Sequence, residues 1–335
     1  MAHSTPIILL SSERSGTNLL RALLSTHSEI ASPPPCGMLD VLAENQFKYL
    51  SPMHSTHMPE LIEEAITLTQ THMNPWGIEL KEEIVNKRIG SPSFWGLFST
   101  INEIYAEHHG CSFWFSKEPG SFNYIYNLKA HFPKAKFIYM TRDGRDVAAS
   151  MLKGRLHEFH IYTAAKRWAR EQRLCLNAYC DPEVHGQVFL MRYEDLIGNT
   201  ESILTNLMRF LGLDFEQEQL NFHQNKDVIK HSKKSKFWRN LSSPIDKSNK
   251  GTYKKSLSRR QIEIFESYAW NEMKALDYPL ENTSKKSYGH IHQAIFLMSS
   301  FIRRKFSQFS MSDESVKRTS RGKVVSEILN RTFES

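Results

Sequence analysis

The chain has 335 residues, 40% hydrophobic and 24% charged, a balance that fits a folded globular protein and excludes wholesale disorder. Its formal charge is +7 and its pI about 9.1. These values favour a polyanionic partner such as nucleic acid, an anionic lipid surface or a multiply phosphorylated nucleotide, without choosing among them.

Residues 6–10 read as a short buried strand, followed by a loop over 11–16 and a helix over 17–26, where Leu19, Leu20, Leu23 and Leu24 recur at helical spacing. Ser32-Pro33-Pro34-Pro35-Cys36 cannot continue a helix. Residues 38–110 read as an inserted helical region, a cap over an acceptor site, with breaks near Pro52, Pro59, Pro75 and Pro92. Further strands fit 111–116, ending at Lys117, 135–141, ending at Arg142, and 187–191, ending near Tyr193. They are rich in Val, Ile, Phe and Tyr and do not alternate, as strands buried on both faces of a parallel sheet do. Helices fit 144–152, 161–179, 200–211 and 258–276, and residues 226–256 form a basic loop suited to covering an anion. The chain thus divides into a domain over 1–280 and a basic C-terminal tail over 281–335. Within the tail, residues 291–306 have the pattern of an amphipathic helix running into Arg303, Arg304 and Lys305. That pattern suits peripheral contact with an anionic membrane or docking onto the domain itself.

Alternating strands and helices imply an α/β fold: a three-layer, doubly wound parallel sheet with helical insertions. Ligands of such sheets bind beyond the C-terminal ends of the strands. Arg14, Lys117, Arg142 and Tyr193 all fall there.

Two motifs carry the chemistry. In Ser11-Ser12-Glu13-Arg14-Ser15-Gly16-Thr17-Asn18 a loop meets a helix N-terminus. Free backbone N–H groups and the helix dipole make a phosphate cradle there. Gly16 allows close approach, Arg14 adds a fork-shaped cation, and Ser15, Thr17 and Asn18 add donors. The loop is not that of a nucleotide triphosphatase, because Thr17 stands where the lysine of that motif belongs. In the second motif Arg142 ends a strand, and Ser150 follows two helical turns later; together they suit a second phosphate. The plainer reading is a helix start capped by Asp143, with Arg145 and Asp146 in water.

Together the motifs resemble the PAPS-dependent sulfotransferases (PAPS, 3′-phosphoadenosine 5′-phosphosulfate), in the branch of the tyrosylprotein and bacterial enzymes. The resemblance rests on Arg14–Thr17, on Lys117-Glu118-Pro119, on Arg142 with Ser150, on Tyr193-Glu194-Asp195-Leu196, and on the basic loop around Lys250 and Gly251. It implies a P-loop-like fold, PAPS as co-substrate with PAP as product, and no required metal. It implies that Arg14, Ser15, Gly16, Thr17 and Asn18 hold the 5′-phosphosulfate, and that Arg142 and Ser150 hold the 3′-phosphate. Tyr193 then lies near the adenine, and Lys250 and Gly251 close over the nucleotide. Lys117 and Arg14 would stabilise the leaving oxygen while an acceptor hydroxyl, first of all one on a carbohydrate or glycolipid, attacks sulfur in line.

The general base departs from the family's pattern. Relatives carry Glu or His near a Pro-Pro segment, where this chain has Pro-Pro-Pro-Cys-Gly. Cys36, Asp40, Glu44, His54, His57 and His157 stay as alternatives. The competing classes are a P-loop kinase or nucleotide phosphotransferase, and a non-catalytic binder of polyanions; a nucleic-acid partner is not expected. Four cysteines without a CxxC pair suit a reducing, cytoplasmic compartment and no structural zinc. No apolar run reaches the roughly 18 residues that a membrane span needs, and the N-terminus has no signal-peptide pattern, so the domain is expected to begin near Met1 without an anchor.

Overall fold

The computed structural model describes residues 4–50, 56–154, 158–235, 238–307 and 313–333; His54 and His157 lie outside them. Among the described residues, five strands form one parallel sheet in the order β2-β3-β1-β4-β5. They are β1 (Thr5–Leu10), β2 (Ile30–Ala31), β3 (Phe113–Ser116), β4 (Lys136–Thr141) and β5 (Val188–Arg192). The helices that matter here are α1 (Thr17–Leu24), α2 (Met58–Thr71), α3 (Phe94–His108), α4 (Gly144–Gly154), α5 (Ile161–Cys180), α6 (Tyr193–Gly198), α7 (Arg259–Ala275), α8 (His290–Ser307) and α9 (Asp313–Asn330).

Successive strand residues point to opposite faces. Ile8, Leu10, Trp114, Phe137 and Tyr139 enter one core, shared with Phe94 and Phe98 of α3, Val147 of α4, Trp168 of α5 and Phe265 of α7. Ile7, Leu9, Phe115, Ile138 and Met140 enter the other, shared with Leu20 and Leu23 of α1 and Leu196 of α6. Both faces are thus covered, which is why the strands lack polar alternation. The result is the expected three-layer α/β architecture. β2 had no counterpart in the sequence reading, because two residues carry no periodicity.

Register positions the site. Leu10 of β1 lies beside Tyr139 of β4, and Ile8 of β1 beside Ser116 of β3. The loops after β1, β3 and β4 therefore leave the sheet side by side at one edge.

Residues 38–110 are largely helical, opening on a π-helix over Leu39–Ala43. The C-terminal helices return to the body. Phe296 of α8 is buried, with its ring 5.0 Å from that of His160 and 5.5 Å from that of Tyr162. Near the end of the described chain, Arg331 pairs with Glu64 of α2 at 3.0 Å, and Phe333 stacks on His57 at 4.1 Å.

At the start of α4 the plainer reading holds for the cap, since Asp143 Oδ1 accepts from Arg145 N at 2.9 Å, and fails for the charges. Arg145 and Asp146 are each 1% exposed, not solvated. Arg145 donates to Asp143 and to Glu266 of α7, both at 2.7 Å. Removing one member of a buried ionic network leaves its partners uncompensated. Arg145→Met should therefore lower stability by about 3–5 kcal/mol, read from the denaturant midpoint of unfolding.

Candidate active site

The loop after β1 is fixed from both sides. Ser11 Oγ donates to the Met140 carbonyl at 2.6 Å, and Gln172 of α5 donates to Ser12 Oγ at 2.7 Å. Arg14 and Gly16 adopt positive φ, 68° and 87°, on either side of Ser15. Turns of alternating hand curve the backbone into an anion-binding concavity at the N-terminus of α1. Gly16 is required by space as well as by conformation: an added Cβ would lie 2.2 Å from the Tyr193 ring.

The two sequence motifs meet here. Arg142 donates to the Arg14 carbonyl at 3.2 Å, and Arg14 Nε donates to Ser150 Oγ at 3.0 Å. The Arg142 guanidinium lies 4.4 Å from the centre of the Tyr193 ring. It also donates to the Asn249 carbonyl and side-chain oxygen at 3.1 and 3.3 Å, while Asn249 Nδ2 donates to Tyr193 Oη at 2.9 Å. Beneath them, the buried carboxylate of Asp146 sits 3.7 Å from Arg142. It accepts from Gly251 N at 2.8 Å, Thr252 Oγ at 3.0 Å and Tyr253 N at 2.7 Å.

These groups border a cavity of about 410 Å³, lined by Arg14, Gly16, Thr17, Asn18, Arg142 and Tyr193 and by the apolar Phe222, Leu241 and Ile245. The lining combines guanidiniums with apolar side chains, the two kinds of surface a nucleotide needs: cations for phosphates, hydrocarbon for the base. Ser15 Oγ and Arg142 Nε are buried without a hydrogen-bond partner, and buried orphans of this kind mark places where a ligand completes the set.

The second half of the site surrounds the end of β3. Lys117 is partly exposed. Desolvation, then the neighbouring cations Arg21 and Arg14, bring its ammonium down to about 8 against the opposing carboxylates of Glu13 and Glu118. Glu118 accepts from Cys36 N at 2.6 Å, and burial raises its own pKa. Asp40 stands beside this turn: a Cβ on Gly120 would fall 2.3 Å from Asp40 Oδ1. Asp40 is reached by solvent, yet desolvation at the foot of the cleft, then the charges of Glu118, Glu13 and Glu44, push it up to about 6 against Arg167. The Cys36 thiol is buried, and burial together with Glu118 pushes it well up.

The structure therefore gathers Arg14–Asn18, Arg142, Ser150, Tyr193 and the Gly251 backbone on one side, with Lys117, Cys36 and Asp40 around the neighbouring strand end. Lys250 is exposed; its neighbour Asn249 lines the cavity instead. Asn249 and Asp146 were not singled out as site residues, although Asn249 stood in the loop expected to cover the anion. Arg321 of α9, in the basic tail, carried no signal at all. It donates to the Leu68 carbonyl at 3.1 Å, to Thr71 Oγ at 2.8 Å and to the Cys36 carbonyl. Among the described residues no cluster of His, Cys, Asp or Glu is arranged to hold a metal ion.

An all-parallel α/β sheet with arginines from two strand-end loops bordering one cavity places the protein in the P-loop-like fold class. Residues 6–217 match the Sulfotransferase family, and the chain belongs to that family. A Caenorhabditis briggsae protein provisionally named a protein-tyrosine sulfotransferase is 25% identical over 221 residues, covering 63% of this chain and 66% of that protein. An uncharacterised Aquifex aeolicus protein is 22% identical over 263 residues, covering 76% of this chain and 30% of that protein. The chain thus spans less than two thirds of the length of either relative. Among solved structures, the sulfotransferase domain of the curacin biosynthetic pathway shares the fold, with a TM-score of 0.56, 21% identity, and 83% of this chain and 98% of that domain covered.

Asp146 holds the 249–253 loop through three hydrogen bonds to one charged acceptor, each worth about 1.5–3 kcal/mol. Asp146→Ala should raise amide exchange at Gly251 and Tyr253 by at least about tenfold while the far-ultraviolet circular dichroism stays unchanged.

Proposed function

We propose that the protein transfers the sulfuryl group of PAPS to an acceptor hydroxyl. The convergence of Arg14 and Arg142 on one cavity carries this reading: each guanidinium can grip a different end of a nucleotide that bears anions at both its 3′ and 5′ positions. The loop of Ser15, Gly16, Thr17 and Asn18 receives the 5′-phosphosulfate, and Arg142 with Ser150 receives the 3′-phosphate. Tyr193, Asn249 and the apolar wall hold the nucleoside. A P-loop kinase fits less well, because Thr17 occupies the position of the phosphate-binding lysine. Arg142→Ala should weaken binding of adenosine 3′,5′-bisphosphate by about 2 kcal/mol or more, roughly thirtyfold, since it strips one partner from a desolvated charge pair. Calorimetric titration measures it, and an unchanged affinity rejects the 3′-phosphate assignment.

In the proposed reaction the acceptor oxygen forms a bond to sulfur as the bond from sulfur to the 5′-phosphate oxygen breaks, and that oxygen keeps the electron pair. Lys117 and Arg14 place fixed positive charge where the leaving oxygen becomes anionic, which stabilises the transition state more than the ground state. Asp40 takes the acceptor proton. It is favoured over Cys36 because it meets solvent and is raised only to about 6, whereas the Cys36 thiol is buried and held protonated.

The pH dependence follows with a definite sign. Asp40 works deprotonated, so kcat/KM should rise as pH passes about 6. Lys117 works protonated, so it should fall as pH passes about 8. Asp40→Asn should lower kcat by about 10²–10⁴ and erase the acid limb. Lys117→Ala should erase the alkaline limb and reduce kcat more than donor affinity.

The acceptor we propose is an uncharged hydroxyl on a carbohydrate or glycolipid. Asp40 and its neighbours Glu13 and Glu44 place carboxylates on the acceptor side, which suits the many hydroxyls of a sugar and opposes an anionic acceptor. Labelled sulfate transferred from PAPS into a cell extract should appear in the glycan or lipid fraction. Label confined to protein would instead support a peptide tyrosine, in line with the name of the nematode relative.

A further inference from the structure

The exposed apolar surface of α8 has no role in the site. Ile291, Ile295, Met298 and Ile302 stand four, three and four residues apart, on one stripe of the helix. Leu297 and Phe301 form the stripe beside it. These six are 46–77% exposed, while Phe296 on the opposite side anchors the helix against His160 and Tyr162. A surface helix of a soluble domain turns its apolar stripe inward; here the broad apolar face looks outward, and large exposed patches mark docking sites.

The charge beside that face is of one sign. Between residues 282 and 312 there are five Lys or Arg and no Asp or Glu. Arg303, Arg304 and Lys305 close the helix at its C-terminal end, and Lys305 lies 4.8 Å over the Phe301 ring. Lys286 at the near end is held by Glu263 at 2.5 Å. A second copy of the chain would bring cations against cations here. An anionic bilayer supplies hydrocarbon for the stripe and phosphate for Arg303 and Lys305.

We infer that α8 is a membrane-surface helix that docks the enzyme on anionic lipid, with Ile291, Ile295, Met298, Phe301 and Ile302 entering the interface and Arg303 and Lys305 meeting headgroups. The helix would lie on the surface and not span: among the described residues no helix is long and apolar enough to cross a membrane.

Co-sedimentation of the full chain tests this, with vesicles of phosphatidylcholine alone and of equal parts phosphatidylcholine and phosphatidylglycerol. Wild type should partition onto the anionic vesicles and be released by salt. Ile295→Glu with Phe301→Glu should cut that partition at least tenfold. Arg303→Gln with Lys305→Gln should cut it roughly thirtyfold at low ionic strength and little at high ionic strength, where the charges are already screened. Unchanged affinity for adenosine 3′,5′-bisphosphate shows that the variants are folded. Equal sedimentation with and without anionic lipid, or glutamate variants that bind as wild type does, would overturn the inference. So would a wild-type dimer in light scattering that the glutamate variants dissociate and that ignores vesicles, since the face would then join two copies of the chain.

Discussion

The parallel pairing of β1 with β4 is the constraint on which the site rests. It delivers Arg14 and Arg142, 128 residues apart in the chain, to the same edge of the sheet. Arg142 donates to the Arg14 carbonyl and both side chains border one cavity, a concentration of positive charge that nearby negative charge stabilises. Asp146 supplies part of it from below, and it fixes the covering loop with the same carboxylate. Arg142, which lines the cavity, keeps a buried Nε without a protein partner, as does Ser15 Oγ in the adjoining loop. An anion bound there completes a set of donors already in place, so little reorganisation opposes binding.

The other side of the site is mixed in charge. Around Lys117 stand the cations Arg21 and Arg14 and the carboxylates of Glu13 and Glu118, and Asp40 lies near both of those carboxylates. Crowding and partial burial separate their behaviour, as neighbouring carboxyls in different surroundings must. Glu118 is spent on backbone amides of the Cys36 turn, and Glu13 on Arg167 at 2.9 Å. Asp40 alone combines solvent access with a raised pKa. On the proposed reading the Arg14 and Arg142 side serves the donor and the Asp40 side the acceptor, with Lys117 between them.

Much of this was legible before any coordinates, because the informative signals are local. Doubly buried strands advertise themselves by composition, and a short loop between strand and helix carries its own phosphate chemistry at Arg14 to Asn18. Arg142 just before α4 and Ser150 within it are eight residues apart in one motif, so pairing them needs no tertiary knowledge, whereas the bond from Arg14 to Ser150 does. What could not be read depends on packing between distant segments. Arg145 and Asp146 look like ordinary solvated charges at a helix start; only Glu266 and the 251–253 backbone make them interior residues. Within the covering loop, composition pointed to Lys250, but the chain path turns Asn249 inward. Choosing between Cys36 and Asp40 required knowing which of them the fold buries.

The contact of Arg321 with the Cys36 carbonyl joins positions 285 residues apart. A ribosome releases Cys36 long before Arg321 exists. The stretch that carries the family match, 6–217, holds Arg14 and Arg142, but the 249–253 segment that closes on Arg142 and Asp146 emerges later, and the turn leading to Asp40 waits longer still, for α9 to arrive. Order of manufacture then runs across the site: the strand-end arginines come first, the covering loop second, and the Cys36 turn is tied down only after α9 emerges.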